Sequence, residues 1–329
     1  MIFIFGCDDE ERAEFQNAAE HMALSIRTFS SDINEVDIAC LPFGAVVSVN
    51  HKVLINIAVI DALYQRGVRY INTRSIGMNH IDMEYAKKRG IAVENITYSP
   101  ESVAEHAVML MLMAVRKIMP TLERSAQGDY RLSPSRVNTL SGMTIGIIGT
   151  GKIGGSVSKM LQGFGCKLIA YSHTPTTGIH YTTLNRLLRE SDIVTLHLPL
   201  CEETTHFMSW SRISLMKPGA ILVNVSRGGL IDTEALESAL KEGRIAGAAL
   251  DVIEGEENYF YQNCIGKKDS APFYALESLP NVILTPHCAF FTKQALSDIV
   301  TNTLRNCMEH ERRTKNESTQ CLSIVRRNG

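Results

Sequence analysis

No C-x-x-C pair occurs among the eight cysteines, Cys7, Cys40, Cys166, Cys201, Cys264, Cys288, Cys307 and Cys321. Without such spacing a zinc knuckle has no support, no disulfide framework is expected and no metal site is predicted. Scattered thiols among apolar neighbours, such as Cys7 and Cys166, behave as small hydrophobes, and a reducing cytoplasm is the expected compartment. A long basic run is also missing, and the formal net charge is −2. Neither nucleic acid nor an anionic membrane surface is therefore an expected partner. Long apolar runs are missing too. The longest, Val103 to Met119, is interrupted by Glu105, His106, Arg116 and Lys117, which is too broken to span a bilayer. The apolar start Met1-Ile2-Phe3-Ile4-Phe5-Gly6 lacks a basic leader and a small-residue cleavage site, so it reads as a first buried strand.

What is present is ordinary for a globular protein: 329 residues, 45% hydrophobic and 21% charged, enough for about two domains. Short strand-like runs alternate with helix-like ones. In the first region the strands are Ile2-Phe5, Ala45-Val49, Tyr70-Thr73 and Ile91-Val93, with helices over 55–65 and 83–89. Glycine just past a basic last turn stops the second helix. Ser99-Pro100-Glu101 then opens a long helix reaching Met119, since proline fits a first turn and an acid suits the positive end of the dipole. From Thr144 the alternation becomes regular. Strands are predicted over 144–148, 167–171, 193–198, 221–225, 245–251 and 282–285, with helices between them and a helical tail from 292 to 310. Such alternation implies a parallel sheet covered by helices on both faces.

Gly149-Thr150-Gly151-Lys152-Ile153-Gly154 follows the first of these strands and opens a helix. A G-x-G-x-x-G string alone is weak evidence, but here it has the strand and helix that a dinucleotide loop needs. The first glycine permits the tight turn, the second lets the backbone approach a pyrophosphate, and the third packs helix against strand. A tight turn without a ligand is the blander reading, and the context disfavours it. An NAD-preferring unit carries a carboxylate about 20 residues on, at the end of the second strand. Here that strand ends in Ser172-His173-Thr174. No carboxylate is there to repel a 2′-phosphate and no arginine to grip one. Both NAD(H) and NADP(H) stay open, with a slight lean to NADP(H) being usable.

Three polar residues follow strand ends, where open α/β sheets bind ligands. Arg227 follows Ile221–Ser226, Asp251 and Glu256 follow Ala248-Ala249-Leu250, and His287 follows Val282–Pro286. Carbonyl reduction needs a cation for the substrate carboxylate, a proton donor for the carbonyl oxygen and a group that tunes the donor. Arginine binds carboxylates bidentately, histidine donates protons near neutral pH, and a neighbouring carboxylate favours the charged imidazole. Singly, each is more often a surface or turn residue. Together, beyond a dinucleotide loop, they form a candidate catalytic set.

The segments Gly149–Gly154, Asn224-Val225-Ser226-Arg227-Gly228-Gly229, Leu250–Glu256 and Thr285-Pro286-His287-Cys288-Ala289 resemble the signatures of the D-2-hydroxyacid dehydrogenases. Thr73–Asp82, Tyr98-Ser99-Pro100 and Glu254–Tyr261 are similar to D-lactate dehydrogenases within that family, particularly the vancomycin-resistance type. The resemblance covers nearly the whole chain. It implies two α/β domains: a Rossmann doubly wound parallel sheet, 100–295, inserted into a discontinuous flavodoxin-like substrate domain, 1–99 and 296–329. It also implies a homodimer in which the long helix after Pro100 takes part.

By position, the resemblance makes Arg227 the holder of the substrate carboxylate, His287 the acid/base and Glu256 its partner. Ile76 and Gly77 would offer backbone N–H groups to the carboxylate, and Tyr98 and Phe290 would line the pocket. Thr150, Lys152 and Ile153 fall at the pyrophosphate, Thr204, Val225 and Asp251 near the phosphates or nicotinamide, and Pro199 by the adenine. Two departures bear on the cofactor. Ser172 stands where the family usually has Asp, and Thr174-Pro175-Thr176-Thr177 stands where resistance-type enzymes carry arginines. The expected function is reversible reduction of pyruvate to D-lactate. A dehydrogenase for a bulkier D-2-hydroxyacid, and a non-catalytic dinucleotide sensor like the C-terminal-binding corepressors, stay open. The sequence carries no extra interaction tails, which weakens the sensor reading. It carries no added regulatory domain, which weakens a phosphoglycerate dehydrogenase.

Overall fold

The computed structural model describes residues 1–133, 135–266 and 272–325. The chain divides into two compact units, Met1–Ser99 with Thr292–Gly329, and Pro100–Phe291.

The first unit runs β1 (Ile2–Ile4), α1 (Asp9–His21), β2 (Ile26–Thr28), β3 (Val46–Val49), α2 (Ile57–Gln65), β4 (Tyr70–Thr73), α3 (Met83–Lys88) and β5 (Ala92–Asn95). Its sheet is parallel, in the order β2-β1-β3-β4-β5, which is the flavodoxin-like order. Alternate residues of a strand face opposite sides. Phe3 and Phe5 accordingly pack with Val47, Ile60, Leu63 and Ile71, whereas Ile2 and Ile4 pack with Phe15, Val300 and Leu304. The last two belong to the C-terminal helix, Lys293–Val325, which extends beyond the expected 310. Asn302 and Asn306 side chains donate to the carbonyls of Thr97 (2.6 Å) and Asn95 (3.1 Å), fastening that helix to the end of β5.

Two elements, α1 and β2, were not expected. α1 is mostly polar and buries Phe15 and Ala19, so its apolar period is faint. Its start is written in capping chemistry instead. Asp8 accepts the Glu11 N–H at 2.8 Å while the Glu11 carboxylate faces the Asp8 N–H, a capping box.

The second unit runs α4 (Glu101–Val115), α5 (Ile118–Ala126), β6 (Thr144–Ile148), α6 (Lys152–Gln162), β7 (Lys167–Tyr171), α7 (Leu184–Glu190), β8 (Ile193–Leu196), α8 (Trp210–Ile213), β9 (Ile221–Asn224), α9 (Thr233–Lys241), β10 (Gly247–Leu250), α10 (Pro272–Glu277) and β11 (Val282–Leu284). The parallel order is β11-β10-β9-β8-β6-β7. Outside β7 one more short segment pairs, because the Ala170 N–H donates to the His180 carbonyl and the Thr182 N–H to the Ala170 carbonyl. With that edge counted third, the order is the 3-2-1-4-5-6 winding of a Rossmann sheet with β11 added as a seventh strand. Its core is aliphatic, built on Ile148, Val194, Leu196, Leu222 and Leu250 with helix residues such as Leu187 and Leu236. The helix expected to reach Met119 breaks earlier. Lys117 adopts a left-handed conformation (φ 49°), which ends α4 and starts α5. Among the described residues no helix is long and apolar enough to cross a membrane.

Candidate active site

β6 delivers the chain to the glycine loop, whose first and last glycines cannot carry a side chain. Gly149 has φ +90°, and a Cβ on Gly154 would lie 2.0 Å from the Gly149 carbonyl oxygen. Behind the loop, the inward-turned His197 imidazole bonds Thr195 at 3.0 Å. Burial pushes it down to about 3, so it is neutral. Gly151 differs: a Cβ there meets nothing within 4 Å. It is the N-cap of α6 and offers no side chain to the first-turn N–H groups, which have no intrahelical acceptor. Those N–H groups with Lys152 beside them fit a pyrophosphate. The Thr150 side chain is buried, and its hydroxyl bonds Tyr181 at 2.8 Å.

The second strand ends in Ser172, His173 and Thr174. Ser172 Oγ accepts the Thr174 N–H at 3.3 Å, and His173 packs edge-on against Tyr171. Tyr181 reaches this loop as well, accepting the Thr176 N–H at 2.9 Å. Burial raises the Tyr181 phenol pKa, but the Thr150 and Thr176 hydrogen bonds outweigh it and leave the phenol below its usual range. After β8, Thr204 donates to the Pro199 carbonyl at 2.7 Å and accepts the Cys201 N–H at 2.8 Å, closing that turn. Val225 is buried at the end of β9.

Arg227 follows β9 and is half-buried. Asn224 sets its backbone by donating to the Arg227 carbonyl (2.8 Å) and accepting the Ser226 N–H (3.0 Å). The guanidinium donates to the Ser226 carbonyl at 2.6 Å. Gly228 beside it has a role that the sequence did not disclose. A Cβ there would lie 2.0 Å from the Ile253 carbonyl carbon, so the Arg227 turn presses directly on the segment that carries Glu256.

Asp251, fully buried at the end of β10, is the hub of the site. It accepts the Thr285 hydroxyl (2.5 Å) and the N–H groups of Cys288 (3.0 Å) and Ala289 (2.9 Å), and His106 of α4 lies 3.3 Å away. Burial works against its charge, but the His106, Thr285 and backbone hydrogen bonds outweigh that and hold its carboxyl below the usual range. His106, Asp251 and Cys288 are spaced closely enough for a metal ion. Here Asp251 joins the three, accepting the Cys288 N–H at 3.0 Å and lying beside the Cys288 thiol and His106.

The hub shapes the loop that carries His287. The His287 N–H donates to the Asp251 carbonyl at 2.7 Å, and His287 takes a positive φ of 49°. Its Nδ1 lies 2.5 Å from Glu256 Oε1, and Glu256 Oε2 accepts the Ile253 N–H at 2.8 Å. The two expected partners are thus brought together, each fixed from behind. Phe290 packs edge-on against the His287 ring. Tyr261 is half exposed, but its hydroxyl turns inward to donate to the His287 carbonyl at 2.8 Å. Desolvation of that hydroxyl, then the charges of Glu256 and Asp251, raise its pKa against the pull of Arg227. Gly228, Tyr181, His106, Thr285 and Tyr261 were missed from the sequence. The T-P-H string pointed to His287 alone, although the hydroxyl before Pro286 was a legible donor.

Ile76, Gly77 and Tyr98 belong to the first unit. Asn95 Nδ2 donates to the Ile76 carbonyl at 2.6 Å, and Ser75 Oγ to the Gly77 carbonyl at 2.7 Å. With Thr73 bonded to both Ser75 and His80, the turn after β4 is held firmly. Tyr98 is half-buried beyond β5.

The fold and the second unit's strand ends define a dinucleotide-dependent oxidoreductase. Residues 108–289 match the model of the D-isomer specific 2-hydroxyacid dehydrogenase NAD-binding domain, and the chain belongs to that family. It is 44% identical over 317 residues to a D-specific alpha-keto acid dehydrogenase of Enterococcus faecium, covering 96% of this chain and 98% of the relative. An aromatic 2-oxoacid reductase of Clostridium sporogenes is 40% identical, covering 78% of this chain and 80% of the relative. Among solved structures, the D-lactate dehydrogenase of Aquifex aeolicus, complexed with NAD and lactic acid, superposes with a TM-score of 0.85 at 32% identity, covering 97% of each chain. The chain is thus a D-2-hydroxyacid dehydrogenase with an NAD-binding domain.

Proposed function

We propose that the chain reversibly reduces pyruvate to D-lactate, using NADH and accepting NADPH as well. The observation that carries this reading is the 2.5 Å pair of His287 Nδ1 and Glu256 Oε1 beyond the end of β11. A bound nicotinamide supplies the hydride that forms the new C–H bond. Arg227 grips the substrate carboxylate and stabilises negative charge developing on the carbonyl oxygen. His287 delivers the proton to that oxygen from Nε2, while Glu256 holds Nδ1, orients the ring and balances its positive charge. The N–H groups of Ile76 and Gly77 add to carboxylate binding, and Tyr98 and Phe290 bound the pocket.

On the cofactor, the α6 N-terminus with Thr150, Lys152 and Ile153 takes the pyrophosphate. Ser172, His173 and Thr174 meet the ribose, Pro199 the adenine, and Thr204, Val225 and Asp251 the phosphate and nicotinamide side. The missing acid at Ser172 supports NADPH as a usable cofactor. The likeness to an aromatic 2-oxoacid reductase and the aromatic Phe290 beside His287 favour a bulkier 2-oxoacid as the second reading. A steady-state panel of pyruvate and phenylpyruvate, each with NADH and NADPH, separates them. Pyruvate is expected to give the higher kcat/KM, and a phenylpyruvate preference would overturn that choice. Exposed Met109, Met119 and Leu122 on α4 and α5 support a homodimer, and a cytoplasmic one fits the scattered free thiols. Light scattering that gives the monomer mass would reject the dimer.

A further inference from the structure

Tyr181 has no part in the reaction above, yet its hydroxyl links two segments of the nucleotide end. Its residue lies on the edge segment paired with β7 through Ala170. From there the phenol oxygen reaches Thr150 Oγ1 at 2.8 Å, the Thr176 N–H at 2.9 Å and Thr176 Oγ1 at 3.2 Å. The Thr176 N–H can only donate, so the phenol oxygen accepts it. The phenol proton goes to one threonine hydroxyl, and the other donates back. Thr150 is 4% exposed, and an unpartnered hydroxyl there would be costly. On the other side, residues 173–178 are exposed and lack regular structure. Within them, the Thr174 N–H bond to Ser172 is local and ties the loop to nothing else.

We propose that Tyr181 is a positioning residue for the cofactor: its hydroxyl clasps the ribose loop, residues 172–178, to the glycine loop through Thr150. The adenosine seat is thereby shaped before the cofactor arrives, which lowers the ordering cost of binding. This rests on the reading of Ser172, His173 and Thr174 as the ribose contact. The clasp acts on the loop and not on the 2′ group, so its loss weakens NADH and NADPH alike.

Tyr181→Phe keeps the ring and removes the hydroxyl. Fluorescence titration should then show NADH and NADPH each binding roughly three- to ten-fold more weakly, as befits one lost hydrogen-bond centre. In steady state the loss should appear in the cofactor KM and not in kcat or the pyruvate KM. The Thr176 amide should exchange faster in the free protein, with the β6 amides unmoved. Thr150→Val should also weaken binding, and the double variant should fall short of the product of the two single effects, because both remove the Tyr181–Thr150 bond. Unchanged binding in Tyr181→Phe, an unmoved Thr176 amide, or effects that multiply in the double variant would each overturn the clasp. Should Tyr181→Phe fold poorly, Thr150→Val with the Thr176 amide measurement decides the matter. Ser172→Ala tests the underlying reading separately. Unchanged cofactor binding there, with weakened binding in Tyr181→Phe, would remove the ribose assignment and leave the clasp.

Discussion

Both units are parallel sheets, and both place a glycine just after a strand that opens onto a helix: Gly6 after β1 and Gly149 after β6. Open α/β sheets of either order offer a crevice at such points. In the first unit the crevice is filled. A Cβ on Gly6 would lie 2.1 Å from both Asn50 Nδ2 and Asp32 Oδ1. The buried Arg74 guanidinium donates to the Phe5 carbonyl at 2.7 Å and the Gly6 carbonyl at 3.2 Å, and faces Glu11 at 3.5 Å. The helix that follows is capped by its own Asp8 and carries Asp9, Glu10 and Glu11 in its first turn, so it turns an anion away. In the second unit the corresponding helix has no side-chain cap and no acid in its first turn. Two parallel sheets supply two crevices: Asn50, Asp32, Arg74 and the acidic start of α1 close the first, and the uncapped start of α6 leaves the second open.

The sharpest way to break this contrast is to exchange the fates of its two arginines. Arg227→Gln should lower kcat/KM for pyruvate on the order of a thousand-fold, about 4 kcal/mol of transition-state stabilisation, with the thermal midpoint nearly unmoved. Arg74→Met should do the reverse, since removing it strips the Phe5 carbonyl of a donor and Glu11 of its facing cation. Urea unfolding should register a loss of about 2–4 kcal/mol, with the cofactor Kd unchanged. An Arg74→Met protein that stays stable but loses cofactor would mean that the first unit's crevice is not simply filled.

Asp251→Asn tests how the second unit holds its open site. It should cost about 1–3 kcal/mol. The pH dependence has a definite sign. Because the folded carboxyl lies below its usual range, its stabilisation is full above the ordinary carboxylate value and is lost as pH falls through the lowered one. Unfolding curves at a series of acidic pH values should show a shallower acid limb in Asp251→Asn than in the parent. The smallest effect is expected at the exposed His206, whose imidazole is raised by its 2.7 Å bond to Glu254. That bond stabilises below the ordinary imidazole value and is lost as pH rises through the raised one. His206→Gln should flatten a slight alkaline decline in thermal midpoint, and an unchanged slope would deny the pair any role.

The contrast also explains what could be read in the sequence. The second unit was legible because its regularity is written in apolar strands such as Ile221–Asn224 and in glycines whose spacing has one main use. Its catalytic candidates were legible because each follows a strand end. Gly228 was not, since only the approach of Ile253 reveals why a side chain is excluded. Tyr181 was hidden because its strand is a single bridge and its hydroxyl contacts have no period. In the first unit α1 was missed because Asp8–Glu11 is polar and its buried face is just Phe15 and Ala19. The break at Lys117 did leave a mark: Pro120 sits in the first turn of α5, and a proline is tolerated only near a helix start.

The central claim, that the bare N-terminus of α6 is the dinucleotide seat, can be tested by giving it the cap that α1 carries. Gly151 takes an extended backbone (φ −66°, ψ −161°) that any residue can adopt, and a Cβ there meets nothing, so Gly151→Asp should fold. Its carboxylate would occupy the first-turn N–H groups and repel phosphate. NADH titration by fluorescence should then show binding weakened on the order of a hundred-fold, with Asp8→Gly in the first unit binding as the parent does. NADH affinity that survives Gly151→Asp in a folded protein would contradict the account.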